Sequence, residues 1–247
     1  MNIRFDDRVV VVSGAGHGLG RAIAHAFADL GATVHVCDTN AENLAVTAQG
    51  RNIHTAIVDL TDRAAAAAWI GGIKGRIDVL VNNAGGVAGQ APHPLEEISD
   101  EDWDRIFAIN VNAAMTLCRA VAPRMKAAGN GRIINISSGA GLQASLTGIQ
   151  AYCSTKHAVI GLTRQLAHEF GPHGITVNSV APGFIRSNPD TEKQWDRYGS
   201  DGQAALVNRI ALKRLGSAAD IANGVIFFAS ELADFVNGQI LSVDGGR

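Results

Sequence analysis

The chain has 247 residues, 47% hydrophobic and 18% charged, with 28 glycines and 5% aromatic residues. Lys and Arg number 21 against 23 Asp and Glu, a net charge of -2 without long runs of either sign, which excludes the basic surface of a nucleic-acid binder. Three cysteines, Cys37, Cys118 and Cys153, form no CxxC pair and make an odd count, so neither a disulfide framework nor a zinc knuckle is expected.

At the start of the chain, Met1-Asn2-Ile3-Arg4-Phe5-Asp6-Asp7-Arg8 places charges where a signal peptide needs an apolar core. No run of about 18 uninterrupted strongly apolar residues follows, so no membrane partner is expected and a soluble, cytoplasmic protein is. Short runs rich in Val and Ile recur at 8–13, 33–38, 53–59, 77–82, 132–137, 175–180 and 239–243. Continuous apolar character without alternation marks a parallel strand covered on both faces. Helical composition fills 18–30, 41–50, 62–74, 99–128, 152–170 and 218–230. Ser99 followed by Asp102 reads as a capping box opening the longest of these. Gly31, Gly50, Gly129 and Gly171 sit just past helix ends, where a left-handed residue is needed. Strand and helix alternate throughout, which predicts an α/β doubly wound sheet in one domain, 1–247. The polar segment 189–202 breaks the rhythm and reads as an irregular insertion, part of a lid over about 184–215.

Ser13-Gly14-Ala15-Gly16-His17-Gly18-Leu19-Gly20 lies between the first strand and the first helix. Its pattern is GxxxGxG through Gly14, Gly18 and Gly20, with His17 and Leu19 between them. Such a loop turns tightly and brings bare amides and a helix N-terminus to a pyrophosphate. Asp38 closes the second strand, where a carboxylate accepts hydrogen bonds from a cofactor ribose and repels a 2′-phosphate. Its neighbours Thr39 and His17 supply no Lys or Arg, so NAD is expected over NADP.

Tyr152-Cys153-Ser154-Thr155-Lys156 is a YxxxK pattern on a helix, with Tyr152 and Lys156 on one face. An ammonium beside a phenol stabilises phenolate and draws the Tyr pKa toward neutrality. The pair comes with Asn82-Asn83-Ala84-Gly85 after the fourth strand, Asn110 in the long helix, Ser137-Ser138 after the fifth strand and Pro182-Gly183 after the sixth. This constellation resembles the short-chain dehydrogenase/reductase family over about 8–246. The resemblance implies a Rossmann-like, seven-stranded, mostly parallel sheet and a nicotinamide cofactor. It further implies a catalytic tetrad of Asn110, Ser138, Tyr152 and Lys156. Cofactor contacts implied by it are Gly14, His17, Gly18, Leu19, Gly20, Asp38, Asp59, Leu60, Asn83, Tyr152, Lys156, Pro182, Gly183 and Ile185. Ser137 competes with Ser138, and alternation from Ile134 and Ile136 selects Ser138. The family resemblance also implies a homotetramer, with 99–128 and 152–170 at one interface and the Asp244-Gly245-Gly246 region near another.

The expected reaction is hydride transfer between nicotinamide and a carbinol carbon. Tyr152 moves the proton, Lys156 holds the ribose, Ser138 binds the substrate oxygen and Asn110 anchors a water that links Lys156 to solvent. The lid is polar, which favours a small polar substrate: a sugar, sugar acid, polyol or hydroxy acid. Arg186 follows Ile185 and is the candidate carboxylate contact, while Arg186, Lys193 and Arg197 together read as a solvated lid face in preference to a carboxylate clamp. The alternatives are an NADPH-dependent 3-oxoacyl-acyl-carrier-protein reductase, which would favour a basic residue at 17 or 39, and a non-catalytic dinucleotide binder. His93, His157 and Cys153 read as loop or packing residues, and Trp103, Ile106 and Phe107 as core or interface. No metal is expected.

Overall fold

A computed structural model describes residues 3–247; Met1 and Asn2, the first residues of the charged N-terminal segment, lie outside them. Seven parallel strands form one sheet: β1 (Val9–Ser13), β2 (Thr33–Asp38), β3 (Ile53–Ile57), β4 (Val79–Asn82), β5 (Gly131–Ile136), β6 (Ile175–Pro182) and β7 (Ile240–Val243). Their order is β3-β2-β1-β4-β5-β6-β7. The winding reverses between β1 and β4, so the two neighbouring loops part there and leave a crevice at the carboxyl ends of the strands. Alternate strand residues feed opposite faces. Val10, Val12, Val79, Val81, Ile134 and Ile136 enter one core, while Val11, Leu80, Ile133 and Val177 enter the other. Burial on both sides explains the continuous apolar runs.

The helices α1 (Gly18–Asp29), α2 (Ala41–Ala48) and α3 (Arg63–Gly72) follow the first three strands. Then come α4 (Asp100–Phe107), α5 (Ala113–Ala128), α6 (Gln150–Phe170), α7 (Pro189–Arg197), α8 (Gly199–Arg209) and α9 (Ala218–Ala229). Helices α1 and α9 cover one face, and α3 packs with α5 on the other. The expected helix over 99–128 is continuous but widens into a π-helical turn at Ala108–Asn112, which carries the buried Asn110. By length and composition this run is apolar enough to cross a membrane; here Leu117, Val121 and Met125 bury its face against the sheet. Ser99 caps α4 by accepting from the Asp102 amide (3.1 Å), but the Asp102 carboxylate turns to Arg105 instead of completing a box.

Two local expectations are corrected. The segment 189–202 is helical, not irregular. Asn188 and Thr191 form a reciprocal capping box with Pro189 in the first turn, so α7 starts as a well-capped helix despite its polarity. Gly31, Gly50 and Gly129 take positive φ as expected, but Gly171 stays right-handed (φ -50°) and the left-handed turn falls at Gly174.

On the sheet edge His35 of β2 pairs in register with His54 of β3, and their rings stack 4.7 Å apart. Burial, then the neighbouring His54, lowers the His35 pKa below its usual 6.5. Above pH 6.5 the ring is neutral in both folded and unfolded chains and contributes nothing to pH dependence. Below 6.5 the unfolded chain takes the proton first, so this contribution to stability is lost as pH falls. Urea denaturation at pH 7.5 and 5.5 is expected to show a smaller loss for His35→Gln than for the wild type.

Candidate active site

The crevice deepens into a cavity of about 1080 Å³. It is lined by every expected site residue except Gly18, Asn110 and Arg186. The glycine loop forms one wall. Ser13, at the end of β1, accepts from the amides of Asn83 (3.0 Å) and Ala84 (3.1 Å) through its hydroxyl. The Asn83 side chain returns two bonds, to the carbonyls of Ser13 (3.0 Å) and Gly14 (2.8 Å). These bonds draw the loops after β1 and β4 so close that a Cβ on Gly14 (φ +64°) would stand 2.7 Å from the Ala84 Cα. Gly18, also at positive φ, packs beneath the Ser187 carbonyl rather than facing the cavity.

Helix α1 opens at His17 without a side-chain cap and without an acid in its first turn. His17, Leu19 and Gly20 line the cavity at that end, so uncapped amides and the positive end of the helix face it. A pyrophosphate fits this wall; a carboxylate side chain supplied by the protein would have blocked it. Asp38 is fixed at the next corner, accepting from the Gly16 amide (2.9 Å) and the Asn40 amide (3.2 Å). The nearby cation, Arg21, is spent on the Gly16 and Asn43 carbonyls and the Thr47 hydroxyl. Asp59 and Leu60 continue the wall, and Asp59 is held by the Thr61 amide and hydroxyl.

The floor is built from β5, α6 and the turn after β4. Tyr152 and Lys156 lie one turn apart on α6, and Lys156 is 4% exposed. Its Nζ donates to the Ile136 carbonyl (3.0 Å) and stands 5.7 Å from the Tyr152 ring centre. Burial pushes the ammonium down to about 8. Tyr152 moves opposite to the sequence expectation. Burial raises its pKa, partly offset by a hydrogen bond with Ser138, because both groups share one dry floor and desolvation outweighs their proximity.

The two serines separate cleanly. Ser137 is buried, donating to the Val180 carbonyl (3.2 Å) and accepting from Ser179 (2.9 Å). Ser138 faces Tyr152 and also caps the short turn after it by accepting from the Ala140 amide (3.1 Å).

Asn110 sits behind the floor. It exchanges bonds with Gly86 in both directions (3.0 and 2.8 Å) and donates to the Ile106 carbonyl (2.9 Å). It therefore fixes the Gly85-Gly86 turn beside Lys156. Ile106 and Trp103 pack with Ile149 and Tyr152, which accounts for the apolar spacing on α4.

Arg186 is the clear correction. Its guanidinium makes two bonds to Glu192 (3.0 and 2.6 Å) and lies 5.3 Å over the Trp195 ring, exposed and outside the cavity. The i+6 partner on α7 is invisible until 189–197 is known to be helical. Lys193 and Arg197 do reach the cavity mouth, and both are exposed. His93 and His157 do not line it. The sequence reading did not single out Arg247, which does.

A family model described as enoyl-(acyl carrier protein) reductase matches residues 14–247. D-threitol dehydrogenase of Mycolicibacterium smegmatis is 40% identical, with 99% of this chain and 94% of that protein covered. The chain belongs to the short-chain dehydrogenase/reductase family. Within the family, a 3-oxoacyl-acyl-carrier-protein reductase of Thermotoga maritima is 34% identical over 99% of both chains. A gluconate 5-dehydrogenase of Burkholderia cenocepacia, solved in complex with NADP and tartrate, superposes with a TM-score of 0.89 at 33% identity. That match covers 99% of this chain and 96% of the other.

The serine geometry has a direct test. Ser138→Ala is expected to lower kcat on the order of 10²-fold with little change in stability. Ser137→Ala should cost about 1 kcal/mol of stability and leave kcat within a few-fold. Chemical denaturation and steady-state kinetics of the two variants read both effects.

Proposed function

We propose that the protein is an NAD-dependent oxidoreductase that interconverts a small polar secondary alcohol, of the polyol or sugar-acid class, with its ketone. The observation that carries the reading is the convergence of Ser138, Tyr152 and Lys156 on the floor of a cavity whose far wall is the glycine loop and Asp38. The nicotinamide, when bound, takes or gives the hydride. The uncapped start of α1 would receive the pyrophosphate, and Asp38 the adenosine ribose hydroxyls. Ser138 would donate to the substrate oxygen, and Tyr152 would move the hydroxyl proton. Lys156 would hold the nicotinamide ribose. Asn110 acts as a positioning residue through the Gly85-Gly86 turn; its proposed service to a water beside Lys156 would use its remaining oxygen lone pair.

Threitol and gluconate dehydrogenases among the relatives support the substrate class, as does a cavity whose α7 side offers Gln194, Lys193 and Arg197. The acyl-carrier-protein reductase relative keeps a second reading alive, with NADPH as donor. Asp38 and the committed Arg21 favour NAD against it, since a 2′-phosphate would meet a fixed carboxylate and no free cation. A homotetramer is part of the proposal, supported by the fully exposed Phe235 beside the half-exposed Leu232 near the β7 edge, and checked by light scattering. The three free cysteines fit a reducing cytoplasm.

Calorimetry with both cofactors is expected to show tighter NAD binding, and Asp38→Ala should narrow the gap; tighter NADP binding in the wild type would revive the reductase reading. Tyr152→Phe should abolish turnover while NAD binding stays within a few-fold. Because burial holds Tyr152 protonated, alcohol oxidation is expected to gain rate as pH rises above neutrality and ketone reduction to lose it.

A further inference from the structure

We propose that Arg247 is the specificity-determining cation of the cavity, and that it receives a carboxylate on the substrate, so that a sugar acid is preferred to a neutral polyol. The inference rests on the polyol or sugar-acid reading above and narrows it to one residue and one charged group.

Besides Lys156, which is buried in the floor and bonded to the Ile136 carbonyl, four cations come near the cavity, and their surroundings separate them. Arg186 is neutralised by Glu192 and turned outward over Trp195. Lys193 and Arg197 stand one turn apart on α7, both exposed at the mouth, where water screens a charge. Arg247 is half-buried, lines the cavity and makes no ion pair among the described residues. Its Nη1 lies 4.0 Å from the point where a Cβ on Gly139 would stand, next to Ser138. The acid on the lid side of the cavity, Asp190, is exposed in the first turn of α7.

The segment that delivers Arg247 is fixed rather than loose. Gly183 donates to the Val243 carbonyl (3.0 Å), and Gly246 to the Asp244 side chain (2.9 Å). Leu212 and Ala211 donate to the Gly245 and Gly246 carbonyls (3.1 and 3.2 Å). Gly245 turns at φ +72°, where a Cβ would come within 2.7 Å of Ile210, so the turn requires glycine. The backbone is thus clamped between β6 and the chain after α8, and the arginine leaves it toward the serine side of the floor. A guanidinium that is partly desolvated, planar and unpaired matches a carboxylate with two parallel hydrogen bonds. A hydroxymethyl group in the same place would leave its charge unmet.

D-gluconate and D-sorbitol, which differ at one end by carboxylate against hydroxymethyl, make the test. Titration calorimetry on the enzyme saturated with NADH measures binding of each without turnover. Wild type is expected to bind gluconate at least tenfold tighter than sorbitol. Arg247→Met should weaken gluconate roughly ten- to a hundredfold and move sorbitol less than twofold. Arg247→Lys, which keeps the charge and the stem, should recover part of the loss. Equal losses for both sugars, or no gluconate preference in the wild type, would overturn the proposal, and the latter decides it even if Arg247→Met fails to fold. Turnover assays separate the two readings. Failure to oxidise any polyol or sugar acid sinks the proposed function, whereas oxidation of polyols without a gluconate preference sinks only the role of Arg247.

Discussion

A lysine ammonium held out of water with one carbonyl for a partner sets the terms for this molecule. Lys156 has no carboxylate within reach among the described residues, and the Ile136 carbonyl is its acceptor. Burying such a charge is unfavourable by several kcal/mol unless the surroundings are rigid and polar groups are well aimed. The fold supplies both. Helix α6, 21 residues long, packs along β6 and bonds β5 through Thr163 and Lys156, and the turn after β4 closes over the ammonium. A Cβ on Gly85 would strike the Asn110 oxygen at 2.5 Å and stand 3.5 Å from Nζ, so the lid of this small chamber must be glycine.

That rigidity continues through buried polar groups at the carboxyl ends of the strands. Asn82 donates to Asn135 (2.8 Å), and Asn135 to Thr163 on α6 (2.9 Å). Ser179 bonds the Asn135 carbonyl and the Ser137 hydroxyl. These contacts tie β4, β5, β6 and α6 together directly beneath Tyr152 and Lys156. A network of this kind is costly when broken and holds side chains to within the tolerance chemistry requires. On the other side of the crevice, Ser13 and Asn83 clamp the glycine loop to the same turn. The glycine-loop wall and the Tyr152–Lys156 floor therefore share one anchor, the loop after β4. Burial pushes the two buried thiols, Cys37 and Cys118, up to about 12.

The α7 side of the cavity is organised differently. Helices α7 and α8 carry one buried side chain between them, Leu206, and α7 has none. Helix α7 is held instead by its capping box, by Phe184 stacking on Trp195 (6.0 Å) and tilting against Tyr198 (5.8 Å), and by Arg186 pairing with Glu192. Few buried apolar contacts make such a segment the readiest part of the fold to open. Charge on it is mostly exposed, whereas Arg247, carried on the clamped segment after β7, is half-buried beside Gly139.

Much of this was legible in the sequence because it depends on local periodicity and on spacing. Val and Ile runs give strands buried on both faces, four-residue spacing puts Tyr152 and Lys156 on one face, and glycine spacing after β1 gives the tight turn into α1. Even Ser138 over Ser137 follows from the two-residue alternation of a strand. The tertiary structure decided what depends on long-range neighbours. It fixed the direction of the Tyr152 shift, since burial is a property of the assembled floor and not of the YxxxK spacing. It turned Arg186 away, because α7 folds and brings Glu192 and Trp195 against it. And it brought Arg247 from the far end of the chain to within a side chain's width of Gly139, across 108 positions, where nothing in the local sequence could have placed a charge.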